Sequence, residues 1–236
     1  MYAKKRYSPF SDIDLVIITN IKVSNKFFIY KSNKQHNTLE IGKDIKISIF
    51  SKTKNQAIKA ALDLNNLSWP TEAGMFLNIL SVYDPSKFFA SLLSEYNKIK
   101  TRSLEHTKFK NLASKWLSVA YEFLTKISAP NISLELTRIY GKEFCFCISN
   151  FIKSINMDFF LNIYKFIDES KQSNIKPKNC HVLMCKILNS SHTEIIRVAT
   201  KELWKNTINL SQKQNIIITT YSKNQMNKEL ITLFHD

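Results

Sequence analysis

Glycine and proline are scarce in this chain, with 3 and 5 among its 236 residues. Tight β-hairpins draw on residues that accept positive φ, so the shortage argues against a turn-rich all-β sandwich. Disorder is excluded by the other end of the composition: 44% of residues are hydrophobic and 12% aromatic, enough to build a packed core. Cysteine is also sparse. The four present, Cys145, Cys147, Cys180 and Cys185, lack the paired CxxC spacing of a zinc site and read as reduced core residues. His36, His106, His181, His192 and His235 show no metal-ligand spacing with one another or with the cysteines, and no nucleophilic triad can be argued from them. No run approaches the roughly 18 apolar residues of a membrane span, and the start of the chain carries no apolar signal segment. A cytoplasmic protein without membrane contact is expected. Acidic residues are in deficit, 19 against 34 Lys and Arg, for a net charge of +15. That excess favours a polyanionic partner such as nucleic acid or a nucleoside triphosphate, although the basic residues are spread along the chain and not clustered.

What is present divides into a strand-rich head and a helical tail. Residues 14–19 (DLVIIT) form a short β-branched run, as a buried strand should, and residues 27–31 and 39–41 are further strand candidates. Residues 44–50 alternate, with Ile45, Ile47 and Ile49 facing one way and Lys46 and Ser48 the other, the pattern of a half-buried strand. Helical spacing begins at 54–64. Trp69-Pro70 then reads as a break before a second helix over 71–81, and Tyr83-Asp84-Pro85 as a stop. Beyond it the periodicity predicts helices over 86–101, 106–127, 133–156, 157–170, 178–188 and 193–208. The expected boundary between head and tail lies near Lys100. Trp69, Trp116 and Trp204 are candidate core anchors, with Trp69 also a candidate for lining a substrate cleft.

Ser11-Asp12-Ile13-Asp14, followed by Leu-Val-Ile-Ile, is the most informative stretch. Two aspartates separated by one residue on a strand share a face, where both carboxylates can hold a hard divalent cation such as Mg²⁺. Without a cation, two such charges side by side are costly. SPFSDIDLVII resembles the active-site strand of the nucleotidyltransferase superfamily, whose motif runs Gly-Ser, about ten residues, then Asp-x-Asp/Glu and an apolar strand. The stretch from KDIKISIFSK to LSWPTEAGMFLNILSVYDP is similar to the corresponding part of the kanamycin (aminoglycoside) nucleotidyltransferase-like proteins, where an acidic strand, a helix, a Trp-Pro turn and a Tyr-Asp pair follow in the same order. Tyr121-Glu122-Phe123-Leu124-Thr125-Lys126 resembles the helix that carries that family's general base and a phosphate-contacting lysine.

The resemblance implies an α+β chain. A small mixed-sheet nucleotidyltransferase domain of the polymerase-beta-like kind, over residues 1–100, would precede an all-α substrate-binding bundle over residues 101–236. It implies a Mg²⁺-dependent transfer of a nucleoside monophosphate, AMP from ATP, onto a hydroxyl of an acceptor. Asp12 and Asp14 would hold metal, Glu122 would take the acceptor's proton, Lys126 would contact the triphosphate, and Ser11 and Lys4-Lys5-Arg6 would flank the phosphates. Two departures fall on this machinery. Counting back from Asp12 puts the family's Gly-Ser serine at Met1, so the chain is expected to lack the first helix and strand of that domain. The family's third carboxylate aligns with Lys46, an ammonium that would repel Mg²⁺, unless Asp44 or Glu40 takes its place. The positive net charge speaks against a polycationic aminoglycoside as acceptor and for a neutral or anionic one, a protein hydroxyl or RNA. A homodimer or a partner chain stays open. So does a non-catalytic module that keeps the fold and binds RNA or protein.

Overall fold

The computed structural model describes residues 13–20 and 47–217, apart from the side chains of residues 13, 14 and 47–50. Strand candidates 27–31 and 39–41 lie outside the described residues. Two strands, β1 (Ile13–Thr19) and β2 (Ile47–Thr53), pair in parallel from Ile13 opposite Ile47 to Thr19 opposite Thr53. In β1 the alternation is visible in burial: Val16 and Ile18 pack against the core while Leu15 and Ile17 are exposed. Helix α1 (Lys54–Leu62) follows β2 without a break. Thr53 begins it with a capping box, its side chain accepting from the Gln56 N–H while Gln56 accepts from the Thr53 N–H.

Helix α2 (Trp69–Leu77) corrects the expected break at Trp69-Pro70. The proline sits in the first turn, where its missing N–H has no intrahelical partner to lose and its fixed φ suits the helix. The helix ends at Leu77, short of the expected residue 81. Tyr83-Asp84-Pro85 does act as punctuation. Asp84 accepts the N–H groups of Phe88 and Phe89 at 2.8 and 3.0 Å, opening α3 (Phe88–Thr101). A single residue, Arg102, then closes α3 and opens α4 (Ser103–Ile127).

The centre of the molecule is α4 against α5 (Leu134–Ile155). They run antiparallel, since Trp116 meets the ring of Phe146 while Phe123 meets Tyr140. Ser133 caps α5 by accepting from the Leu136 N–H. After α5 come α6 (Phe166–Gln172), α7 (Cys180–Asn189) and α8 (Thr193–Lys213), the last packed on α7 and α5. Arg197 of α8 donates to the carbonyls of Ile127, Ala129 and Pro130, satisfying orphan acceptors at the end of α4. The described part is thus mostly helical with a two-stranded parallel sheet, an α+β layout.

The helix expected over 157–170 is a second correction. Met157 has a positive φ of 51°, and the chain runs as an irregular segment to a 3₁₀ turn at Ile163–Lys165 before α6 starts. Burial of aromatic side chains overrides the helical period there: Phe159 and Phe160 are both inside the core. The segment is held by the Phe160 N–H on the Pro70 carbonyl (2.8 Å) and the Tyr96 hydroxyl on the Met157 carbonyl (2.7 Å). Gly74 makes room for it, because a Cβ at that position would stand 2.0 Å from the Phe160 oxygen. Trp69 sits in the same core with its indole N–H on the Ala61 carbonyl at 2.8 Å, so it packs as a buried anchor among the described residues. Its ring lies against Tyr96, Phe109 and Phe159, a set drawn from both sides of residue 100.

Candidate functional site

Asp14 occupies the second position of β1, opposite Ser48 of β2. Ser11, Asp12, Lys46, Asp44, Glu40 and Lys4-Lys5-Arg6 lie outside the described residues. Among the described residues, no group of three or more His, Cys, Asp or Glu side chains is disposed to hold a metal ion. The strand pair packs chiefly on α1, whereas α4 packs on α5, α3 and α8.

Glu122 and Lys126 stand where the helical period puts them, one turn apart near the end of α4. They meet as an ion pair, Lys126 Nζ to Glu122 Oε1 at 2.6 Å. Two aromatic rings complete the surroundings of the ammonium: Phe123 of α4 at 5.1 Å and Tyr140 of α5 at 5.5 Å from ring centre to Nζ. The lysine is therefore held by a carboxylate and two π-faces while 41% of its side chain stays exposed. Its partner is unevenly satisfied. Glu122 Oε2 is covered by the protein and has no hydrogen-bond partner, which leaves one acceptor oxygen of the carboxylate unused.

The facing helix carries a partly buried carboxylate of its own. Glu143 of α5 lies one turn after Tyr140, and burial pushes its carboxyl up, with Lys142 opposing the shift. Burial pushes the Cys147 thiol well up as well, and the charges of Glu143 and Glu122 add to the effect. Glu143 and Tyr140 escaped the sequence reading. The signal was there in the spacing 140, 143, 147, one face of α5 turned to α4.

Chemically, the cluster offers a carboxylate with one free oxygen for a hydroxyl proton and a cation exposed enough to meet an anion. An anion that approaches Lys126 competes with Glu122 for it.

The cysteines are all free. Cys145, Cys147 and Cys180 are buried as expected, but Cys185 is only partly covered, a correction to its reading as a core residue. His181, one turn earlier on α7, faces it at 3.8 Å. Among the described residues, no helix is long and apolar enough to cross a membrane. No protein-family model matches this chain, and no curated protein shows significant similarity to it.

Proposed function

We propose that this chain is a nucleotidyltransferase that moves a nucleoside monophosphate, AMP from ATP, onto the hydroxyl of an acceptor with Mg²⁺ as cofactor. The observation that supports the reading is the position of Asp14, the second aspartate of SPFSDIDLVII, in a strand paired in parallel with a second one; on a strand, two carboxylates one residue apart share a face. The donor set fits a hard divalent cation, since it offers carboxylate oxygens without sulfur or imidazole. Mg²⁺ held by Asp12 and Asp14 would supply neutralisation of the triphosphate charge. By the resemblance Ser11 would contact phosphate. By the resemblance Glu122 would take the acceptor's proton through its unpartnered oxygen and Lys126 would exchange the carboxylate for a phosphate oxygen, which requires α4, packed on α5, α3 and α8, to meet the strand pair across the bound nucleotide. The acceptor oxygen bonds to the α-phosphorus, the bond to the β-phosphate oxygen breaks, and pyrophosphate leaves. A net charge of +15 favours a neutral or anionic acceptor, including a protein hydroxyl or RNA.

A second reading is favoured by one observation. Glu122 and Lys126 already satisfy each other, as an ordinary ion pair on a helix does, and such a pair suits a non-catalytic module that uses its basic surface to hold RNA or a partner chain. Calorimetric titration of the full chain with non-hydrolysable ATP, with and without Mg²⁺, separates the two. The nucleotidyltransferase reading expects Mg²⁺-dependent binding that disappears in the double variant Asp12→Asn/Asp14→Asn; binding unchanged by those substitutions sinks the metal assignment. RNA association that weakens with salt and survives both substitutions supports the module instead.

A further inference from the structure

Away from the α4–α5 seam, α7 brings together a thiol, an imidazole and a carboxylate. Cys185 Sγ stands 3.8 Å from His181 Nε2, and the same nitrogen lies 4.0 Å from Asp168 Oδ1 of α6. His181 keeps 32% of its side chain exposed and Asp168 68%, so the group opens to solvent. The other three thiols are buried; burial pushes Cys180 up to about 12 and Cys145 and Cys147 well up, which holds them in the unreactive thiol form. Lysines are close to Cys185 in the chain: Lys186 follows it on α7, and Lys176 and Lys178 precede that helix.

We propose that Cys185 is a modification site for small anionic disulfides, activated by His181. The Cys185 thiol gives its proton to His181 Nε2 and its sulfur attacks one sulfur of the disulfide. The S–S bond breaks as the new bond forms, the departing half leaves as a thiolate, and a mixed disulfide remains on Cys185. The Cys185 sulfur is oxidised and the departing half reduced, so no further oxidant is needed. The imidazolium formed in the first step finds the Asp168 carboxylate beside it, which is why the base is placed between these two groups. The anionic preference comes from the lysines, which attract a negatively charged reagent and repel a cationic one.

The test uses the folded full chain and the dianionic reagent 5,5′-dithiobis(2-nitrobenzoate), with cystamine as its cationic counterpart. One equivalent of thionitrobenzoate should appear in a fast phase, with the remaining thiols reacting only on unfolding in guanidinium. Cys185→Ser should abolish the fast phase. His181→Asn should slow it about tenfold, less than the roughly hundredfold that a positioned base commonly contributes, because sulfur is intrinsically a strong nucleophile. Asp168→Asn, an exposed substitution that leaves the core untouched, should slow it by a smaller factor. Thermal melts of all three variants should match the parent. A fast phase that persists in Cys185→Ser, or an unchanged rate in His181→Asn, overturns the proposal. Cystamine reacting as fast as the dianion would overturn the anionic preference.

Discussion

Lys153 keeps only 5% of its side chain exposed, and its ammonium lies 3.1 Å from both Asp158 and Glu169. Glu169 is equally deep, and its two oxygens also accept the N–H groups of Leu161 and Asn162. A buried charge is tolerated only with such partners, so removing one of them costs more than the pair itself is worth. Lys153→Met is expected to destabilise the protein by about 3–5 kcal/mol, read from urea unfolding, because it strands the Glu169 carboxylate. Gly74→Ala meets a harder obstacle, the Phe160 backbone oxygen, and should cost about 2 kcal/mol or more as the segment after α5 is pushed aside. A Gly74→Ala variant as stable as the parent would show that this segment yields. At the same scale, Lys126→Ala removes the partner of Glu122 Oε1 while Oε2 has none; if the pair works in catalysis, nucleotide affinity falls, and if it only decorates a helix, stability moves by no more than about 0.5 kcal/mol and binding stays put.

Helix starts show how much of the fold could be read directly from the residues. Thr53 with Gln56, Asp84 before Phe88 and Ser133 before Leu136 each supply a side-chain oxygen where the first free N–H groups need one, and the expected helices 54–64, 86–101 and 133–156 begin within two residues of α1, α3 and α5. Thr53→Ala should cost about 1 kcal/mol. Asp84 adds a pH dependence. Partial desolvation pushes its carboxyl up, but the N–H groups of Phe88 and Phe89, the Ser86 hydroxyl and the charge of Lys54 outweigh this, and the group sits below its ordinary value of 3.8. A carboxyl lowered by folding stabilises the protein above its unfolded-state value, and that contribution is lost as the pH falls through the folded one. The stability gap between the parent and Asp84→Asn should therefore close below pH 3.8; a gap that stays constant into acid would refute the cap. Loop 157–162 was not legible, since MDFFLNIYKF carries a helical period. Its conformation is set by what Pro70, Gly74, Tyr96 and Glu169 offer from other elements, and none of that is local information. The site was half legible for a related reason. The i,i+4 spacing of Glu122 and Lys126 predicts a meeting, but only the facing helix reveals Tyr140 beside them.

Across the whole molecule, one hydrophobic cluster takes in α1, α2 and α3 together with α4 and α5, so the residues on either side of position 100 are packed as neighbours. A fragment beginning at Ser103 is expected to bind a hydrophobic dye and to melt without a sharp transition, because Phe109 and Phe159 lose Trp69 and Tyr96. A fragment that melts as cooperatively as the intact chain would show that the helices stand alone.

The way Trp69 is enclosed also bears on birth at the ribosome. Phe159, one of the rings that cover it, is made about 90 residues later, so at ordinary synthesis rates the indole waits roughly 5–20 seconds for its lid. During that interval the α2 segment is a sticky nascent chain, and its safe passage depends on whatever shields it until the segment after α5 emerges.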